Sequence, residues 1–496
     1  MIITEKQINS DVSISVDAVV VGSGAGGATA AYLLSEAGFE VVVLEEGGYY
    51  TSNGFNGGIS EMMGMLYRDA GLMPIFGKPN IAFAEGCCVG GSTVINGALC
   101  WRTPESVLNR WSSHYGLPLL DKNYMDGIFN RIENDLSISV QNDKGTNRTS
   151  QKLMDGCDQL DWKYELVPRA QVNCQNVNRC PTGCPTDAKQ SMLVTYLPKS
   201  VENGADIYSN ARVKKIEMRG TRATGVMATV KKRKKKYKLR IKADKVFIAC
   251  GSMQTPYLLK KNGFSKNIGP NLQIHINLKI AALFKEEINP HIGTMMTAQV
   301  KEFQDDNFYI GGSNFDPVYL ALTLSPHKNK IIERLAQKWR NTAIFLAQVR
   351  CNGSGRVMVS RLINRPLPFY KLDREDEIIV SMALKKQIEL LVAAGAVEMY
   401  LPIDGSPVIR SVNDIDDFLA KSVNIKKLNL LSVHATSTCP MGAGINKSAV
   451  GPFGLLHGTR NVYICDASIL PEAPGVNPQI TIMGLVNRNI NEILNG

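Results

Sequence analysis

Three groups of residues in this 496-residue chain have types and spacings that chemistry uses. The first is Gly22-x-Gly24-x-x-Gly27. Gly22 supplies a tight turn, Gly24 lets backbone approach a pyrophosphate, and Gly27 lets a helix pack against a strand. Glu45, about 20 residues further on, can accept hydrogen bonds from a ribose hydroxyl. The second group is Cys174, Cys180 and Cys184, in the run Cys-Pro-Thr-Gly-Cys-Pro and just before it. Thiolates are the ligands of iron–sulfur clusters, but three thiols fall short of a closed four-cysteine zinc site. The third lies near the C-terminus, where His434 and Asn477 stand 43 residues apart. Imidazole takes up a proton near neutral pH, and an amide offers an oriented donor without competing as a base.

The elements that must position these groups follow from the surrounding residues. Asp17 opens a strand-like run, Ala18–Val21, which enters the glycine turn directly. An Ala-rich helical segment reaches about Ala37, and Val41–Leu44 forms a second apolar run ending at Glu45. Strand, turn, helix, strand and acid in this order specify a Rossmann-like unit, with the helix start offering free N–H groups and a positive dipole end to phosphates. The motif alone fits FAD and NAD equally. At the other end, Asn477 is a favoured N-cap and Pro478 suits a first helical turn, so a helix is expected to start there and run to about Leu494. A helix start of this kind can stabilise negative charge on a group in front of it. Asp466 ends the apolar run Val462–Cys465, where a strand-end turn former is at home.

Length allows at least two cores, and 44% hydrophobic with 20% charged residues is ordinary for globular proteins. The formal charge of +11 is concentrated in residues 231–242, which hold nine Lys/Arg and no acid. That stretch reads as a solvated hairpin, so nucleic acid is not expected as a partner; peripheral membrane contact is the minor alternative. Eleven scattered cysteines do not form a disulfide framework. No leader or spanning segment is visible, which points to a cytoplasmic protein, with a peripheral or partner-exported location as the alternative. Methionines 62, 63, 65 and 73 are expected to fill core space, a lid over an apolar ligand being the lesser reading.

Gly86-Cys-Cys-Val-Gly90-Gly91-Ser92-Thr93-Val-Ile-Asn96-Gly97, leading to Thr103-Pro104, lets backbone lie against a flat or anionic ligand. This block resembles the first signature of the glucose–methanol–choline (GMC) flavoprotein oxidoreductases, and its ends are most similar to the long-chain alcohol oxidase branch. Ala249-Cys-Gly251-Ser-Met-Gln-Thr255-Pro256 is similar to the second signature. Asp187-Ala-Lys-Gln-Ser191 resembles the turn that precedes the return to the FAD domain, and Ser432–Gly442 the histidine motif.

The resemblance implies an α/β fold with an α+β part: a discontinuous Rossmann-like FAD-binding domain over residues 14–130, 195–275 and 436–496. It also implies a cysteine-bearing connection over 131–194 and a substrate domain on an antiparallel sheet over 276–435. Gly91, Ser92 and Asn96 would lie along the flavin ring, Val213 near adenine, and Asp466 and Ala467 near the pyrophosphate or ribityl chain. Pro478 and Gln479 would face the flavin with Asn477. Ile95 occupies the position where some members attach FAD through histidine, so non-covalent FAD is expected. His434 would be the base and Asn477 the hydrogen-bonding partner for oxidation of an alcohol, with hydride passing to flavin N5. His275 reads as structural. The three cysteines match the spacing of cluster-bearing sugar dehydrogenases, which hold a [3Fe-4S] cluster there and can relay electrons to an acceptor protein or small partner subunit. Cluster-free relatives carry cysteines in the same loop, and both readings stand. Two rivals to simple alcohol oxidation are therefore sugar or polyol oxidation with such a relay, and a lyase with a redox-silent flavin.

Overall fold

Two sheets, each with its own apolar core, meet at the glycine-rich turns. The structure is a computed structural model, and it describes residues 1–496 apart from 142–145, 314–315, 361 and 421–423. The first sheet is built on β1 (Val12–Val21), which leads through Gly24 into α1 (Ala25–Glu36) and then β2 (Val41–Leu44). β3 (Asp206–Tyr208), β4 (Ala211–Arg219), β5 (Arg222–Lys232) and β6 (Lys235–Ile248) follow after the long insertion. Their order is β3-β2-β1-β6-β5-β4, and β3, β2, β1 and β6 run parallel. A late strand, Val462–Ile464, adds in parallel to the end of β6. The strand order reverses beside β1, which is the switch point where open α/β sheets bind ligands. The apolar runs of β1 and β2 are buried on both faces, as a parallel sheet between helices demands.

The basic stretch is the hairpin expected from its composition: β5 and β6 pair antiparallel from Lys232↔Lys235 to Gly225↔Lys242. After β6, α2 (Gly251–Lys261) carries the second signature, and the chain crosses to the second sheet. Its long central strand is β7 (Pro270–Leu283), flanked by β9 (Thr342–Arg350) and β10 (Leu430–Thr436), with β8 (Phe308–Gly312) beyond β9. All of these pairings are antiparallel, as expected for the substrate half.

The alternation along β7 decides what the second sheet does. Leu272, Ile274, Ile276, Leu278, Ile280 and Ala282 pack into one core with Ile379, Val380, Ala383, Leu384 and Ile388 of α4 (Arg374–Ala393). Each of the Leu, Ile and Val side chains contributes about 1.5–3 kcal/mol on burial. Side chains one residue out of phase, His275, Asn277 and Lys279, are thereby turned to the opposite face. That face looks toward the first sheet, and α3 (Pro317–Thr323) covers its far end.

The closing helix, α5 (Gln479–Asn495), departs from the expected start by one residue. Pro478 is the N-cap, and no side chain caps the helix. Asn477 is excluded from capping because its amide oxygen is engaged by the hydroxyl of Tyr309. Besides α4, this half carries the helix Asn329–Gln337 and two short ones, α3 and Val412–Ala420.

Candidate active site

A cavity of about 850 Å³ lies between the two sheets, at the carboxyl ends of β1 and β6. It is lined by Gly22, Ser23, Gly24, Glu45, Gly91, Ser92 and Asn96 from the first third of the chain, and by Val213 from β4. Asp466, Ala467, Asn477, Pro478, Gln479 and His434 line it from the C-terminal segment. Of the residues expected to hold the nucleotide, only Gly27 stays outside, with a packing role. A Cβ at Gly27 would sit 2.0 Å from the carbonyl oxygen of Gly22, and one at Gly26 would sit 1.8 Å from that of Cys465. Gly24, by contrast, faces open space, and a Cβ there would meet no atom within 4 Å.

The cradle is held by a small set of buried bonds. Ser23 N and Oγ donate to Glu45 Oε2 at 3.0 and 2.6 Å, and Gly47 N donates to Glu45 Oε1 at 2.8 Å. Gly90 N in turn donates to Ser23 Oγ at 3.0 Å, tying the two glycine loops together. Burial raises the Glu45 carboxyl above the usual carboxylate range. Asp466 accepts from Gly251 N at 2.9 Å, Thr255 Oγ1 at 2.5 Å and Ser468 N at 2.8 Å, so it locks the start of α2 beside the cavity; burial raises its carboxyl as well. Ser92 Oγ accepts from Gly86 N at 2.9 Å, and Asn96 Nδ2 donates to Gln479 Oε1 at 2.6 Å. The Gly91 block and the start of α5 are thus joined across 383 residues of chain.

An elongated dinucleotide fits this donor set. The first turn of α1 has no side-chain cap at Gly24, so its N–H groups are free to bind phosphate. Ile95 lines the same wall without a nucleophilic atom, in keeping with non-covalent binding.

Above the cradle, β7 and β10 place His275 directly opposite His434. Their Nδ1 atoms are 3.1 Å apart, and Gln348 Nε2 of β9 lies 3.1 Å from the same His275 nitrogen. Burial lowers the His434 imidazole to about 4 and pushes that of His275 well below its ordinary value. At neutral pH both rings are therefore uncharged. Tyr309 of β8 donates to Asn477 Oδ1 at 3.2 Å. His434 and Asn477 share one cavity wall system, each gripped by a polar side chain of the second sheet. His275, Gln348 and Tyr309 were not singled out as site residues from the sequence. The signal was present in Gln273-Ile-His275-Ile-Asn277-Leu-Lys279, where polar residues recur every second position on a strand too apolar to be exposed.

The cysteines do not come together as a ligand set. Cys174 Sγ lies 3.5 Å from Thr294 Oγ1, Arg169 Nη2 donates to Cys180 Sγ at 3.6 Å, and Lys189 N donates to Cys184 Sγ at 3.4 Å. Among the described residues no group of three or more His, Cys, Asp or Glu is arranged to hold a metal ion. The iron–sulfur reading of these cysteines therefore finds no support in the geometry, and the cluster-free reading is left. A buried cation beside the loop does a structural task instead. The Lys189 ammonium donates to the carbonyls of Cys180 and Asn96 at 2.7 and 3.0 Å, and also to that of Val94, bracing the strip that faces the cavity. No helix among the described residues is long and apolar enough to cross a membrane.

Comparison with known proteins agrees with this architecture. Residues 63–277 and 355–485 match the family models for GMC oxidoreductases, and residues 20–59 match the NAD(P)-binding Rossmann-like domain. An uncharacterized GMC-type oxidoreductase of Sinorhizobium fredii is 36% identical over 97% of this chain and 95% of its own length. The long-chain-alcohol oxidase FAO1 of Arabidopsis thaliana is 29% identical over 97% of this chain and 67% of its own. Pyridoxine 4-oxidase from Mesorbium loti shares the fold, with a TM-score of 0.75 at 16% identity over 97% of this chain and 99% of its own. From the cradle, the paired signatures and these likenesses together, the chain belongs to the GMC oxidoreductase family and is an FAD-dependent oxidoreductase.

Proposed function

We propose that the protein oxidises an alcohol to an aldehyde or ketone, with His434 as the base and Asn477 as the hydrogen-bonding partner of the substrate oxygen. The observation that carries this reading is the convergence of the two side chains on one cavity, above the strip formed by Gly91, Ser92 and Asn96. Bound FAD supplies the hydride acceptor. The chain supplies the rest. Gln348 donates its amide proton to His275 Nδ1, which makes that nitrogen an acceptor. The proton between the two imidazoles then sits on His434 Nδ1, and the lone pair of His434 is left on Nε2, free to take the hydroxyl proton. Tyr309 holds Asn477 by its oxygen, so the amide N–H groups are left for the developing alkoxide. The start of α5 adds a positive dipole end at the same place.

An artificial electron-accepting dye offered to the purified holoprotein with alcohols, sugars or a cyanohydrin separates this reading from its rivals. Aliphatic alcohols are expected to drive dye reduction with formation of carbonyl product. Dye reduction by sugars alone favours the polyol reading, and its partner subunit or acceptor protein. Carbonyl product released from a cyanohydrin with no dye reduction by any alcohol favours the lyase.

A further inference from the structure

The cavity runs on past His434 along β7, and its far wall holds a cation, Lys279. Successive residues on that face of the strand are two apart, so Lys279 lies about 13 Å along the chain from His275, at about 3.3 Å per residue. Register places Lys279 beside Leu346 of β9 and Asn277 beside Gln348. Lys279, Asn277, Leu346 and Tyr319 all line the cavity. The Lys279 ammonium stands 4.1 Å from the centre of the Tyr319 ring of α3. Among the described residues no carboxylate pairs with Lys279; the acidic residues of the cavity, Glu45, Glu46, Glu85 and Asp466, are committed at the nucleotide end. Between His434 and Lys279, the amide oxygen of Asn277 is buried and has no hydrogen-bond partner.

An unpaired ammonium in a ligand cavity is most stable when the ligand neutralises it, because charge-assisted hydrogen bonds are the strong ones. An orphaned buried carbonyl likewise calls for a donor. Resting on the alcohol-oxidation reading, we propose that the substrate is an alcohol with a carboxylate at its far end, its hydroxyl at His434 and its carboxylate at Lys279. Leu346 and Met296 offer an apolar stretch of wall to the chain between the two ends. A hydroxyl on that chain would find Asn277.

The test compares ω-hydroxy fatty acids with 1-alkanols of the same length on the purified holoenzyme, following kcat/KM with dye and binding of the matching fatty acid by calorimetry. The hydroxy acid is expected to be favoured by about tenfold or more, the scale of one charge-assisted hydrogen bond. Lys279→Met is expected to bring that ratio close to one and Lys279→Glu to invert it, with FAD content serving as the check on folding. The fatty acid should bind the Lys279→Met enzyme about tenfold more weakly, a readout independent of turnover. If alcohols are oxidised but the ratio is near one in the parent enzyme and unmoved in both variants, the carboxylate assignment is overturned while alcohol oxidation stands. If neither class of substrate reduces the dye, the alcohol reading falls and this inference falls with it.

Discussion

Replacing His434 by alanine is expected to leave a yellow protein that an alcohol bleaches about 10²–10⁴ times more slowly, the range a positioned base contributes. FAD should be retained, because the cradle is held by Ser23, Glu45, Asp466 and the two glycine loops rather than by this imidazole. The pH profile of the parent enzyme adds a signature. Burial holds His434 near about 4, so the ring is uncharged and able to accept a proton throughout the neutral range. Protonation removes the acceptor, so bleaching should stay level down to about pH 5 and fall as the pH nears 4. Rapid mixing under anaerobic conditions across that range checks both points. Loss of FAD from His434→Ala would instead make the residue part of the cofactor cradle.

The second large effect separates two glycines three residues apart. Gly24→Val should fold normally and purify without FAD, since a Cβ there meets no protein atom within 4 Å and Gly24 lines the cavity at the uncapped start of α1. Gly27→Val should fail at an earlier stage. Its Cβ would lie 2.0 Å from the Gly22 carbonyl oxygen and 3.1 Å from Ala249 Cβ, so strand and helix must part. Overpacking typically costs 1–3 kcal/mol, and a clash with backbone at this range is at the upper end or beyond. Thermal melts with flavin absorbance distinguish the cases: an unchanged apo melt for Gly24→Val, and a melt several degrees lower, or insoluble protein, for Gly27→Val. FAD retained at the parent level by Gly24→Val would place the pyrophosphate elsewhere.

The parallel half of the fold was legible because its signals are local. Ala18 to Glu45 spells strand, turn, helix and strand within one short segment, and the basic hairpin declares itself by composition. That His434 and Asn477 line one cavity was legible only through the resemblance, because nothing in the 42 residues between them shows that they meet. His275, expected to be structural, lies directly opposite His434 on the neighbouring strand; cross-strand register is a tertiary property that periodicity does not encode. Asn477 was read as a helix cap from its neighbour Pro478, and Tyr309, from a distant strand, engaged its oxygen instead. The cysteine loop left two readings standing for a related reason. Spacing measures chain length, and the loop turns Cys174, Cys180 and Cys184 toward Thr294, Arg169 and Lys189.

The most direct test of the central claim is a single anaerobic mixing of the holoprotein with a primary alcohol, unlabelled or deuterated at the hydroxyl-bearing carbon. The expected result is loss of the yellow band with one equivalent of aldehyde per flavin, slowed severalfold by deuterium because that carbon–hydrogen bond breaks in the step observed. A flavin that stays yellow with every alcohol offered would contradict it.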